Sequence, residues 1–226
     1  MKTSWVRWRI VALLVVAAFV AYLLRTNMSV AGESMMRELG LSKVQLGQVL
    51  AAFAWGYGLF QIPGGIYGDR SGGRRALTML ALAWCLLNGL VGLMPEANTH
   101  TVLMMLIGLR FLMGAAQAAF FPVYGGLVYH WFPPAGWALP NALGNAGLTV
   151  GAAAAGPLIA WLAQTVGWRQ SFLFTSPLAL MMAGAWWWYG RDRPDQHGGV
   201  NQAELDWIAL DRQPPPPPDQ PSVSWL

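Results

Sequence analysis

Six long apolar segments constrain the fold of this chain more than any other feature of its sequence. Each approaches the ~20 residues that an α-helix needs to cross a ~30 Å hydrocarbon layer. They lie at residues 9–31, 46–66, 76–95, 101–128, 141–163 and 169–190, with short polar or Pro/Gly turns between them. Because lipid offers no hydrogen bonds to the backbone, each segment is expected to be helical. The sequence therefore predicts an all-α integral membrane protein built as a six-helix bundle.

The composition agrees with a membrane protein and argues against several other classes. Only 11% of the 226 residues are charged and 55% are hydrophobic, whereas about 25% of the residues in soluble domains are charged. The basic residues flank the apolar segments and form no patch interleaved with aromatics, so nucleic acid is not an expected partner. The sequence holds no HExxH helix, P-loop, nucleophile elbow or Cys/His metal spacing. We therefore expect neither an enzyme nor a bound cofactor or metal.

The lysines and arginines outside the spans predict the orientation of the bundle. With the N-terminus inside the cell, nine of them fall on the cytoplasmic side: Lys2, Arg7, Arg9, Arg70, Arg74, Arg75, Arg191, Arg193 and Arg212. Three fall outside: Arg37, Lys43 and Arg169. This excess predicts a multi-pass protein of the cell membrane with both termini in the cytoplasm. The alternative is that residues 1–31 form a cleaved signal peptide, because a basic head precedes the first apolar run.

Two arginines, Arg25 and Arg110, lie inside spans. At 1.5 Å per residue, Arg25 lies roughly 22 Å from the cytoplasmic end of its helix, and Arg110 lies roughly 14 Å from the outer end of its own. In a ~30 Å layer these depths differ by about one helical turn. No Asp or Glu occurs in any of the six predicted spans. The pair therefore predicts a site for an anion; the alternative is that each arginine snorkels toward an interface.

Six neutral polar side chains are candidates to complete that site. An oxyacid needs hydrogen-bond donors as well as positive charge, and amide or hydroxyl groups supply them. The candidates are Tyr22, Asn27, Tyr57, Gln61, Gln117 and Asn145. The alternative for each of them is a structural role, because polar side chains also join transmembrane helices to one another.

The six spans divide into two groups of three, which predicts an inverted 3+3 repeat. The second and fifth spans are both glycine-rich and end near proline, in "GYGLFQIPGG" and "NALGNAGLTVGAAAAGP". An arginine lies in the first span of each group. Inverted three-helix repeats with polar residues near the midplane are typical of secondary transporters. We expect the small residues Gly144, Gly147 and Gly151 to let helices pack closely.

A glycine-rich basic loop connects the second and third spans. Its sequence is "GGIYGDRSGGRRALT", in which the pattern is Gly65-x-x-x-Asp69-Arg70-x-Gly72-x-Arg74-Arg75. This spacing resembles the signature loop of the major facilitator superfamily, which occupies the same place between spans two and three. The resemblance implies a loop that stabilises one end state of the alternating-access cycle. The alternative is a solvated loop whose basic residues only fix the topology.

Further motifs resemble the anion:cation symporter family, which includes carriers of sugar acids and other organic anions. They are "RTNMSVA", "YGLFQIPGG", "RFLMGAAQAAFFPV", "WFPP", "GPLIAWLAQTVGWRQSFLF", and "RDRP" followed by "AELDWI". The resemblance implies that Arg25 and Arg110 bind a carboxylate or take part in coupling. It also implies that Tyr22 and Tyr57 donate hydrogen bonds to the substrate. By the same resemblance, Asn145 lines the site.

Two replacements depart from the pattern of that family. Relatives often place Asp directly before the first-span arginine, where this chain has Leu24, and Glu seven residues after the fourth-span arginine, where it has Gln117. Leucine and glutamine do not titrate, so we do not expect a coupling proton at these positions. Exchange against a counter-anion, as in the organophosphate:phosphate antiporters, is the alternative to symport.

The resemblance also has a consequence for domain organisation, because the family has twelve spans and six are predicted here. We expect residues 1–191 to form the N-terminal six-helix half. Residues 192–226 include a run of five prolines and are expected to form a polar connecting segment or tail. Such a half is either a fragment or pairs with a C-terminal six-helix half. A non-transporting membrane sensor or partner subunit is the remaining alternative.

Overall fold

The computed structural model describes residues 3–95 and 97–210, and these residues form helices and turns without any strand. Lys2, Arg212 and the run of five prolines lie outside the described residues. The helices are α1 Val6–Leu39, α2 Lys43–Leu59, α3 Gln61–Ser71, α4 Gly73–Gly92, α5 Thr99–Ala118, α6 Phe120–Trp131, α7 Ala138–Thr165, α8 Trp168–Tyr189 and α9 Gln202–Ala209. Single 3-10 turns occupy Pro134–Gly136 and Pro194–Gln196.

All six predicted spans are helical. Four helical segments are long and apolar enough to cross a membrane, and α2 with α3 makes a fifth if this pair, bent by 53°, is one span. The segment from α5 to α6 counts as one of the four and has 33 residues. The sixth, α8, has 22 residues, which at 1.5 Å per residue is about 33 Å. It is long enough to span, but it is less apolar because it contains Arg169, Gln170 and several tryptophans.

The helices pair in a pattern that the two groups of three share. The most extensive contacts are those of α1 with α7, of α2 with α5, and of α4 with α8. The first group of spans is α1, α2 with α3, and α4, and the second group is α5 with α6, α7, and α8. In both groups the first span packs on the second span of the other group, and the two third spans pack on each other. This arrangement is the one that a two-fold inverted repeat produces.

Glycines allow the backbones of these helix pairs to approach closely. A Cβ atom on Gly151 would lie 2.3 Å from the Phe19 carbonyl oxygen of α1. Between α2 and α5 the contact is reciprocal, because a Cβ on Gly56 or on Gly114 would lie 2.1 Å from a backbone oxygen of the other helix. Side chains cannot be added at such distances without moving backbone. The Cβ positions on Gly144 and Gly147 also lie less than 3 Å from a neighbouring helix. The expected role of glycine in helix packing is therefore confirmed for all three residues and extends to α2 and α5.

A buried carboxylate fastens α9 to the start of α1. Glu204 is 0% exposed and accepts hydrogen bonds from Ser4 Oγ and from the backbone N–H groups of Val6 (3.2 Å) and Arg7 (3.1 Å). Its ion pair with Arg7 Nη1 is 3.1 Å long, and the Arg7 guanidinium lies 4.0 Å from the Trp207 ring centroid. The carboxylate therefore accepts hydrogen bonds from free N–H groups at the α1 N-terminus, and its negative charge interacts favourably with the positive end of the helix dipole.

The two ends of the bundle differ in charge. At the end where α1 begins and α8 ends, Arg7 contacts α9, and the arginines of residues 70–75 and 191–193 lie together. We call this the basic end. At the opposite end, Glu38 of α1 accepts a hydrogen bond from Trp168 Nε1 (2.7 Å) and pairs with Arg169 at the start of α8. Because a carboxylate, an arginine and a tryptophan meet at each end, α1 is held at both.

Candidate anion-binding site and gate loop

The two intramembrane arginines are neighbours in the folded chain. Arg110 Nη2 of α5 donates a hydrogen bond of 3.3 Å to the backbone carbonyl oxygen of Arg25 in α1. Arg110 is only 5% exposed, whereas Arg25 is half-buried. Their estimated depths from sequence differed by about one turn, and the contact between them is consistent with this.

An aromatic ring from α2 lies against both guanidinium groups. The Phe53 ring centroid is 4.7 Å from Arg25 Cζ and 4.8 Å from Arg110 Cζ. The Tyr22 and Tyr57 rings each lie 5.1 Å from Arg25 Cζ, and Phe53 stacks on Tyr57 at 6.0 Å. These distances fall within the range of cation–π attraction. The rings offset part of the cost of burying two like charges, but they supply no negative charge.

No carboxylate in the described ranges is paired with either of these arginines. The ion pairs there join Arg7 to Glu204, Arg37 to Glu33, and Arg169 to Glu38. Among the residues that the structure describes, Arg110 Nε is buried without a hydrogen-bond partner, and Arg25 Nη1 has a contact of 3.4 Å with the Tyr22 hydroxyl. Two cations with spare donors at one point favour an anion with two oxygens, because a guanidinium binds a carboxylate through paired N–H groups.

The remaining predicted site residues are distributed differently. Gln61 is half-buried and begins α3, just past the bend after α2. Gln117, 3% exposed, donates 2.9 Å to the Ala21 carbonyl oxygen and so joins α5 to α1. Asn145 lies on the exposed face of α7. The structure thus brings Tyr22 and Tyr57 against Arg25, whereas Gln117 has a helix-joining contact.

Asn27 lies in a separate polar network between α1, α4 and α8. Its Nδ2 donates 3.1 Å to Thr175 Oγ1. Asn88 Nδ2 contacts the same hydroxyl at 3.2 Å, Ser176 Oγ at 3.0 Å and the Phe172 carbonyl oxygen at 2.9 Å. Asn27 is 0% exposed. This network fastens three helices to one another and does not include either arginine.

The predicted loop at residues 65–75 is wrong as a loop: residues 65–71 are the end of α3, residues 73–75 begin α4, and only Gly72 lies between the two helices. We keep the name gate loop for residues 65–75. Gly72 has φ +77°, and a Cβ there would lie 2.5 Å from Asp192 Oδ2, so this position requires glycine. Asp192, which follows α8, accepts a 2.5 Å hydrogen bond from the Arg74 backbone N–H through Oδ1. The Arg74 side chain donates to the Trp187 carbonyl oxygen and stacks on the Trp187 ring at 4.5 Å. The loop is therefore clamped to the end of α8.

Sequence reasoning missed two groups of functional interest. Phe53 lies in an apolar span, where phenylalanine carries no signal of its own. Asp192 and Trp187 did carry a signal, since "RDRP" follows a cluster of aromatics, but their contact with Arg74 depends on long-range packing. A cavity of about 610 Å³ lies beside this clamp, between the gate loop, α6 and the end of α8.

The family comparison matches nearly the whole chain. Residues 14–223 match the model described as Major Facilitator Superfamily. Among curated proteins, the probable galactarate/D-glucarate transporter GudP of Bacillus subtilis (strain 168) is 33% identical over 207 residues, which is 92% of this chain and 45% of that protein. The D-galactonate transporter of Escherichia coli O6:H1 is 31% identical, over 89% of this chain and 45% of that protein. The chain thus spans less than half the length of these relatives.

Solved structures share the fold at low identity. A bacterial homologue of the human lysosomal transporter Spinster, in an inward-facing and unoccupied conformation, has a TM-score of 0.73 at 21% identity, covering 84% of this chain and 44% of that one. The proton:xylose symporter XylE bound to 6-bromo-6-deoxy-D-glucose has a TM-score of 0.75 at 14% identity, covering 85% and 46%. These likenesses show the fold and no more.

Proposed function

Because this chain belongs to the major facilitator superfamily, we propose that it is the N-terminal six-helix half of a secondary transporter for a small organic anion. The anion is a sugar acid or another carboxylate, and it moves by alternating access. The similar proteins whose names specify galactarate, D-glucarate or D-galactonate transport support this substrate class. Transport, not an enzymatic reaction, is the activity proposed.

One observation carries the proposal: Arg25 and Arg110 share the Phe53 ring, and neither is paired with a carboxylate in the described residues. A buried uncompensated cation is costly, and a bound anion removes that cost. In this role Arg110 supplies its unpartnered Nε, and Arg25 supplies the more exposed guanidinium. An anion with a carboxylate at each end, such as an aldaric acid, suits two cations.

Neutral groups around the pair would fix the orientation of the anion. Tyr22 and Tyr57 are the best placed, since both rings contact Arg25 and each carries a hydroxyl. Gln61 and Asn145 complete the site in our proposal, from the faces of α3 and α7. Gln117 and Asn27 hold helices together in the structure, so we assign them an indirect role in shaping the site.

The gate loop and the orientation belong to the same proposal. Asp69, Arg70 and Arg74 are proposed to favour one end state of the transport cycle, and the clamp between Arg74 and the end of α8 supports such a role. The basic end faces the cytoplasm of the cell membrane by the positive-inside rule. A C-terminal six-helix half, in the same chain or in another, completes the carrier, and residues 192–226 connect to it.

The residues at positions 24 and 117 favour anion exchange over proton symport as the proposed mode of transport. Leu24 is 0% exposed beside Arg25, and Gln117 is committed to the Ala21 carbonyl oxygen. Neither side chain carries a proton that a transport cycle could load and release. A second anion arriving from the other side is therefore the proposed driving species.

Uptake into proteoliposomes tests the proposed function. Protein containing this half together with a C-terminal half is reconstituted, and entry of labelled D-glucarate is followed with either unlabelled D-glucarate or buffer inside. We expect internal anion to accelerate entry, and an imposed pH gradient to leave it unchanged. Absence of uptake of any sugar acid would contradict the substrate class. Proton-driven uptake without internal anion would contradict the exchange mode and leave the substrate class standing.

A further inference from the structure

The cavity at the basic end is strongly cationic. Five arginines line it: Arg70, Arg74, Arg75, Arg191 and Arg193. Two carboxylates, those of Asp69 and Asp192, line it as well. The cavity therefore carries three more positive than negative side chains, and its volume of about 610 Å³ is ample for a phosphate group.

The carboxylates do not neutralise this charge through ion pairs. Asp192 Oδ1 is taken by the Arg74 backbone N–H, and no ion pair within residues 3–95 and 97–210 includes any of the five arginines. Backbone carbonyls hold two of the guanidiniums instead. Arg74 donates to Trp187, and Arg191 Nη1 donates to the Gly190 oxygen (2.7 Å) and the Trp188 oxygen (3.1 Å). These contacts fix the positions of the Arg74 and Arg191 side chains in the absence of a ligand.

Tryptophans at the rim place the cavity at the level of lipid headgroups. Trp187 lines the cavity and is 47% exposed, and the neighbouring Trp188 is 78% exposed. Exposed tryptophans at the end of a membrane helix settle in the headgroup region. A ligand that enters from the lipid side therefore meets the arginines at the depth where phospholipids carry their phosphate.

We propose that this cavity binds the phosphate group of an anionic lipid. Arginine binds phosphate through several charge-assisted hydrogen bonds, and basic pockets between membrane helices suit anionic headgroups. A soluble phosphate compound has the same chemistry, but it lacks acyl chains that would lie along the apolar surface beside Trp188.

Native mass spectrometry of the full chain in detergent tests this proposal. Binding of short-chain phosphatidylglycerol is compared with that of phosphatidylcholine of the same chain length. The variants Arg70→Gln and Arg193→Gln each remove an exposed cavity arginine. Arg9→Gln is the matched control, because Arg9 is an exposed arginine of the same end and lies outside the cavity.

We expect phosphatidylglycerol to bind more tightly than phosphatidylcholine, and each cavity variant to weaken it by about fivefold, from the usual contribution of one basic residue at a membrane surface. Arg9→Gln should leave the affinity unchanged. Equal binding of the two lipids, or equal loss in the control, would overturn the site. Displacement of the lipid by millimolar glycerol phosphate would overturn the assignment to lipid, and persistence of the complex supports it.

Discussion

At the residue scale, Phe53 makes two separate cations into one site. Its ring lies within 5 Å of both guanidinium carbons, at 4.7 and 4.8 Å, and only 3% of the residue is exposed. The ring attracts each cation through its face and so holds both guanidiniums against one side chain. The position of Phe53 therefore sets the spacing of the donors that an anion would meet.

Replacing Phe53 by leucine should weaken anion binding without unfolding the chain. Leucine fills part of the space but has no ring quadrupole, so the two guanidiniums lose their shared contact, worth roughly 0.5–2 kcal/mol for each. We expect affinity for D-glucarate to fall about tenfold, with Phe53→Tyr restoring most of it. Equilibrium binding measures this. Phe174→Leu, at an exposed position of α8, is the control, and equal loss there would contradict the role of the ring.

Introducing a titratable group at Gln117 should make transport sensitive to pH. Gln117 Nε2 donates to the Ala21 carbonyl oxygen, and a glutamate keeps that hydrogen bond only while it is protonated. We expect Gln117→Glu to transport better at pH 5.5 than at pH 8, whereas the unaltered protein has a flat profile over the same range. Uptake measured between these two pH values tests this expectation. A pH-dependent profile in the unaltered protein would show that protons couple elsewhere.

The arginine pair was predictable from sequence because lipid makes the position of a charge informative. Arg25 and Arg110 stand out in apolar runs without any acid, and simple helix geometry gives their depth. Phe53 does not stand out there, since its meaning comes only from the two cations it touches. Asn27 is a polar residue in the same apolar span as Tyr22, yet its side chain faces α4 and α8 and not Arg25. The sequence did not predict which face of α1 packs against which neighbouring helix.

At the element scale, close backbone contact between α2 and α5 holds the site together. Gly114 of α5 lies against the Phe53 carbonyl oxygen, and Gly56 of α2 lies against that of Phe111. Phe53 and Arg110 are therefore carried on two helices that interlock without side chains between them. Any residue larger than glycine at these points would separate the ring from the arginine.

Gly114→Ala should destabilise the protein and weaken binding together. The added methyl would lie 2.1 Å from the Phe53 carbonyl oxygen, and overpacking of this kind costs about 1–3 kcal/mol. Gly108→Ala in the same helix is the control, because no atom of the described residues lies within 4 Å of the added atom and alanine favours the helix. Thermal unfolding in detergent should show a lower midpoint for Gly114→Ala only. Equal midpoints would refute the tight contact.

The docking of α9 depends on one buried carboxylate. Glu204→Ala would leave the Arg7 guanidinium buried without its partner and the α1 N-terminus uncapped, and breaking a buried pair costs about 3–5 kcal/mol. We expect a clear fall in the unfolding midpoint. Asp206→Asn is the control on the same helix, since Asp206 is exposed and accepts a hydrogen bond from Gln202 Nε2. A midpoint unchanged by Glu204→Ala would mean that α9 contributes nothing to the bundle.

The helices themselves were largely predictable, and their breaks and contacts were less so. Apolar runs gave the spans to within about five residues, because the bilayer imposes their length, except that α1 continues past its predicted end at residue 31 to Leu39. The breaks at Phe60 and Ala119 each precede a proline by three residues, Pro63 and Pro122, which lack an N–H for the helix. The contact of Glu204 with Arg7 joins residues nearly 200 positions apart, and no local sequence pattern predicts it.

At the scale of the whole molecule, the bundle corresponds to less than half the length of the relatives it matches. Its helix pairs are unchanged when the two groups of three are exchanged, and the relatives it matches are more than twice as long as the aligned part. The arginine site lies between the two groups, on α1 and α5, the first helix of each. The inverted repeat thus places the two cations together, and this follows from the sequence once the repeat is recognised.

Equilibrium binding of labelled D-glucarate to the purified chain tests the arginine site most directly. We compare the unaltered protein with Arg25→Gln, Arg110→Gln and the control Arg9→Gln. Each hydrogen bond to a charged group contributes about 1.5–3 kcal/mol, so each site variant should bind at least tenfold more weakly while the control binds as before. Unchanged affinity after loss of both Arg25 and Arg110 would contradict the anion site.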